Sequence, residues 1–68
     1  MFIKFEHEEK IINLNQVTTI TKNGWVIEFK LGEGGIDVVF TSDDECDLNY
    51  IKVTALLRDL SLLTTLKR

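Results

Sequence analysis

"WVIEFKLGEGGIDVVFTSDDE", residues 25–45, decides the fold. Up to Thr41 it alternates with strand period. Trp25, Ile27, Phe29 and Leu31 share one face, and Val26, Glu28 and Lys30 share the other. "GEGG" (32–35) supplies a flexible turn, after which Ile36, Val38 and Phe40 share a face. At Ser42 the period changes. "SDDE" fits a capping box, with Ser42 as the cap and Glu45 reaching back from three residues on. Asp43, Asp44 and Glu45 sit where a helix dipole favours negative charge, and Lys67 and Arg68 where it favours positive. The chain is therefore strands first and one helix last.

Toward the N-terminus, "VTTITK" (17–22) is β-branched and strand-like. It is joined to residue 25 by Asn23-Gly24, the dipeptide that favours a type I′ hairpin. "NLNQ" (13–16) is a polar break with helical-turn character. "FIKFEHE" (2–8) alternates, with Ile3, Phe5 and His7 against Lys4, Glu6 and Glu8. "EEK" (8–10) is a polar turn, and "KIINL" (10–14) completes a first hairpin. The expectation is an α+β domain: an antiparallel meander of four to five strands over residues 1–41, then one long C-terminal helix over 42–68, packed on the sheet.

Sixty-eight residues make one domain with a modest core. One cysteine excludes an internal disulfide and fits a reducing, cytoplasmic setting. The opening residues do not read as a signal peptide, and no apolar run approaches a membrane span. The net charge is −3, with no basic cluster beyond the terminal Lys-Arg, which argues against nucleic acid as the main partner.

The helix carries two apolar stripes at 100° per residue. Cys46, Tyr50, Val53, Leu57 and Leu60, widened by Leu56 and Leu63, are expected against the sheet. Leu48, Ile51, Ala55, Leu62 and Leu66 fall on the opposite side, and no second helix covers them. About 25 helical residues span roughly 37 Å, against about 20–24 Å for five strands. The last turns then overhang, and a homodimer through the second stripe is the expected outcome. The alternative is a helix that stops near Asp59 or Ser61, with the tail folding back over the sheet.

No catalytic, metal or cofactor site is expected. His7 with Glu9 shares a strand face but has no further ligand, so a surface or strand-end histidine is the reading. "DDECD" (43–47) lacks the calcium-loop pattern and reads as a charged helix start. "GEGG" precedes a strand, so it is no phosphate cradle. Cys46 reads as a small buried hydrophobe, and Trp25, Phe29 and Phe40 as core. The function expected is a non-catalytic interaction or regulatory module working through protein contacts. The alternative is single-stranded nucleic acid on the sheet, held by Lys4, Lys22 and Lys30.

"EEKIINLNQVTTI" (8–20) resembles the small FlbD-type flagellar-operon proteins: an opening strand, a polar turn, the Ile12-Asn13 step, spaced Val17 and Ile20, then a hairpin and a helix. That resemblance implies a small bacterial accessory protein without catalysis. The order of strands and then one long helix, with "GGIDVVFTSDD" at the junction, resembles the PC4-type transcriptional coactivator fold. That resemblance implies dimerisation through helix ends and single-stranded DNA on the sheet, whereas this chain is acidic.

Overall fold

The computed structural model describes residues 1–63. Strands β1 (Phe2–Lys4), β2 (Ile11–Asn13), β3 (Thr19–Asn23), β4 (Val26–Leu31) and β5 (Gly34–Val39) precede helix α1 (Asp43–Asp59). The α+β architecture, antiparallel strands followed by one C-terminal helix, is the one expected.

The strands form two sheets rather than one meander. β1 pairs antiparallel with β2, and β3, β4 and β5 form a separate antiparallel sheet in that order. The break lies at Leu14–Gln16, a 3-10 turn whose entry is fixed by Asn13, whose side-chain oxygen accepts from the Asn15 amide at 3.1 Å. Leu14 is buried there, so the chain is anchored before it can continue from β2 into β3. β1 is also shorter than residues 2–8. The chain turns after Lys4, with the Glu8 amide donating to the Phe5 carbonyl. Phe5 enters the core and His7 stays at the surface.

Both hairpins of the larger sheet use the same device. Asn23 pairs with Val26, so Gly24 and Trp25 are the loop residues, and only Gly24 has positive φ, at +63°. This is the glycine-first pattern of a II′ turn, not the I′ turn expected for Asn23-Gly24. Gly32, at φ +61°, opens the second loop in the same way, between Leu31 and its partner Gly34. The "GEGG" stretch is thus a tight two-residue turn plus the start of β5. Trp25, placed in the first loop, is 55% exposed and not in the core.

Phe5, Ile12, Leu14, Ile27, Phe29, Val38, Phe40, Cys46, Val53 and Leu57 form the buried cluster. The Phe5 and Phe40 rings meet edge to face, centroids 5.6 Å apart. Such burial is worth about 1.5–3 kcal/mol per large side chain, before the entropy that ordering costs.

The helix begins as expected and ends early. Ser42 Oγ accepts from the Glu45 amide at 3.1 Å. The reciprocal arm of the box is redirected: Glu45 Oε2 accepts from the Thr41 hydroxyl at 2.9 Å. At the other end α1 stops at Asp59 instead of running through residues 42–68. Ser61 adopts φ +60°, its amide bonds the Arg58 carbonyl, and the Leu62 amide bonds the Leu57 carbonyl at 2.8 Å. This is a Schellman stop, which satisfies the last carbonyls and reverses the chain. Leu63 then packs against the core. The shorter helix spans roughly 25 Å, which removes the expected overhang. The fold-back alternative therefore describes the chain as far as Leu63.

Candidate interaction surface

The two stripes of α1 have different surroundings. Cys46, Val53 and Leu57 are buried against the sheet, with Tyr50 and Leu56 partly buried beside them. Leu60, expected in that row, is 37% exposed because it caps the helix end. On the opposite side Leu48 is 53% and Ile51 63% exposed, with Ala55 half-buried next in the row. A β-branched residue and a leucine at i and i+3 on water present one apolar strip.

The other residues expected on this strip lie elsewhere. The turn at Ser61 carries Leu62 off the helical path, to a shallow groove formed with Leu14, Val17, Thr18, Ile20, Leu57 and Leu63. Leu66 lies outside the described residues. The structure thus brings together Leu48, Ile51 and Ala55 and separates Leu62 from them.

The three lysines considered for nucleic acid do not share a surface. Lys22 is opposite Ile27 in the ladder, on the helix-covered face. Its Nζ bridges Asp43 at 2.9 Å and Asp47 at 3.0 Å, which ties β3 to the first turns of α1. The hydrogen bond to Asp43, then that to Asp47, hold its pKa above the ordinary lysine value. Lys30, opposite Thr19 and Gly35, is on the other face of that sheet, and Lys4 belongs to β1.

His7 has a structural partner that the sequence pattern did not reveal. Its Nε2 lies 2.6 Å from the Val39 carbonyl, and the ring packs on Phe40 with centroids 4.9 Å apart. Lys10 donates to the Asp37 carbonyl at 3.3 Å. The β1–β2 connection therefore covers the free edge of β5 with side-chain donors. The only advance signal was a lysine beside a turn, a common edge device.

Cys46 is fully buried, and burial pushes its thiol pKa up, with Asp47 and Asp43 adding to the shift and Lys22 opposing it. A thiol so placed is a packing group. Among the described residues no three His, Cys, Asp or Glu gather where they could hold a metal ion. No helix among them is long and apolar enough to cross a membrane.

No family model, no curated protein and no solved structure matches this chain.

Proposed function

We propose that this chain is a small non-catalytic interaction module, regulatory in role, that acts through protein–protein contacts and forms a homodimer through the outer face of α1. The observation that carries the reading is the exposure of Leu48 and Ile51 on the side of the helix opposite its buried stripe. The core is filled from the other side of the helix, and these two side chains lie outside it. Covering them in a partner removes apolar surface from water, at about 25 cal/mol per Å². Exposed apolar strips rimmed by charge are a recurring mark of interaction sites. Here the rim is Asp44, Lys52, Arg58 and Asp59, all exposed. The resemblance of residues 8–20 to flagellar-operon accessory proteins points the same way, toward a bacterial or phage protein of the cytoplasm.

Single-stranded nucleic acid is the weaker reading. Of its three lysines, Lys22 is committed to two aspartates and the others lie on different surfaces. A phosphate backbone needs neighbouring cations along one path.

Sedimentation velocity across a wide concentration range tests the proposal. The expected result is a mass that rises with concentration, and that stays monomeric in Leu48→Glu/Ile51→Glu while the far-ultraviolet spectrum is unchanged. A monomer at every concentration overturns the homodimer. Salt-sensitive binding of a fluorescent oligonucleotide, lost in Lys4→Glu/Lys30→Glu, overturns the protein-contact reading in favour of the other.

A further inference from the structure

The outer row of α1 is Asp44, Leu48, Ile51, Ala55 and Arg58, at spacings of four, three, four and three. It starts with an acid, ends with a base and is apolar between. All five lie opposite the row formed by Cys46, Val53 and Leu57, and all but the half-buried Ala55 are exposed. Among the described residues the ion pairs are those of Lys22 with Asp43 and Asp47, and neither Asp44 nor Arg58 takes part in them.

Such a row has a direction. Laid beside an identical row pointing the same way, acid meets acid and base meets base. Laid beside one pointing the opposite way, Asp44 meets Arg58 at both ends, Leu48 meets Ala55, and Ile51 meets Ile51. The large Leu48 then fills the space left by the small Ala55. A two-fold axis perpendicular to the helix keeps each flank of the row facing its own copy. Asp44 and Arg58 are displaced to the same flank, so the charges fall on one side of the seam. Opposed helix dipoles favour the same direction.

Resting on the reading that a second copy of the chain covers this face, we infer that the two α1 helices lie antiparallel, crossing at Ile51, with direction set by two Asp44–Arg58 pairs. The other flank brings Glu45 and Asp59 of the two copies toward each other, with Lys52 between them along the helix. Glu45 is already engaged by the Thr41 hydroxyl. The ion pairs therefore fix direction, and the small apolar seam makes a contact that fills at high protein concentration.

Charge reversal tests the arrangement, because Asp44 and Arg58 are exposed and outside the core. At low salt, Asp44→Arg and Arg58→Asp should each weaken self-association by about ten-fold, and the double variant should restore it. A second measurement is independent of helix stability. Asp44→Cys and Arg58→Cys proteins, oxidised together, should form a mixed disulfide dimer, while each alone should cross-link poorly. The native thiol, Cys46, is buried. Self-association that is lost on Ile51→Glu but indifferent to charge reversal, or that cross-links each cysteine variant with itself, overturns the antiparallel arrangement and leaves the helix-face reading standing. Absence of self-association in the unaltered protein overturns both.

Discussion

His7 and Val39, separated by thirty-two positions, are joined by a hydrogen bond of 2.6 Å from the imidazole Nε2–H to the backbone carbonyl. The carbonyl can only accept, so Nε2 carries the proton. Val39 is on the edge strand β5, and the Phe40 amide beyond it bonds the carbonyl of Trp25, the loop residue that leads into β4. The outward-facing carbonyls of β5 would otherwise look for another strand. His7 and Lys10 occupy two of them.

Removing that cover has two consequences. His7→Ala should lower unfolding free energy by about 1 kcal/mol, the ordinary net worth of such a bond plus some lost ring packing on Phe40. His7→Ala/Lys10→Ala should also aggregate faster on storage, because an open edge templates pairing. Urea unfolding checks the first and light scattering over time the second. Unchanged values in both would mean that the edge needs no cover.

Ser61 has φ +60° in the stop that ends α1, where its amide and that of Leu62 satisfy the Arg58 and Leu57 carbonyls. A β-carbon in the left-handed region costs roughly 1 kcal/mol relative to glycine. Ser61→Gly should therefore stabilise the protein by about 0.5–1 kcal/mol, and Ser61→Val should destabilise it. Thermal melts followed at 222 nm give both signs in one experiment. Should glycine prove neutral or harmful, the turn at 61 is not what holds the helix end.

These two sites mark where the sequence ceased to be readable. The strand period of Val26–Leu31 and Gly34–Val39, the cap at Ser42 and the buried row of Cys46, Val53 and Leu57 are local patterns, and each appears in the fold. The helix stop near Asp59 or Ser61 stood only as the alternative to a helix through 42–68, because serine lacks the left-handed preference of glycine or asparagine. Leucines on both sides of residue 61 also keep helical spacing. Two sheets instead of one follow from the anchoring of Leu14 in the core, a tertiary effect that the polar run "NLNQ" only hints at. The exposed pair Leu48 and Ile51 was legible from the wheel. The departure of Leu62 from that row was not, since it depends on the same hidden turn.

Glu28 and Asp37 face each other across β4 and β5. The Asp37 carbonyl points outward to Lys10, so the pair is of the non-hydrogen-bonded kind, with Cα atoms about 4.5 Å apart. Like charges in that position repel. Asp37→Thr relieves the repulsion and adds a β-branched residue to a strand. It should raise stability by roughly 0.5–1 kcal/mol, more at low salt than at high. A salt-independent change would show that threonine's strand preference, and not charge, is responsible.

Lys22 ties β3 to the start of α1, and its pKa lies above the ordinary 10.5 because Asp43, and after it Asp47, accept from the ammonium. A lysine pKa raised on folding means that the folded protein holds this proton more tightly than the unfolded chain. The stabilisation is then complete at neutral pH and fades as pH climbs past about 10.5 toward the folded value. Lys22→Met removes the titrating group while retaining most of the apolar stem. Above pH 10.5 the unaltered protein should lose stability more steeply than the variant. Making both proteins in a Cys46→Ala background removes the thiol, whose pKa Lys22 itself lowers. Chemical unfolding at a series of alkaline pH values measures the two slopes. Parallel slopes would place the Lys22–Asp43–Asp47 bridge outside the forces that hold the helix on the sheet.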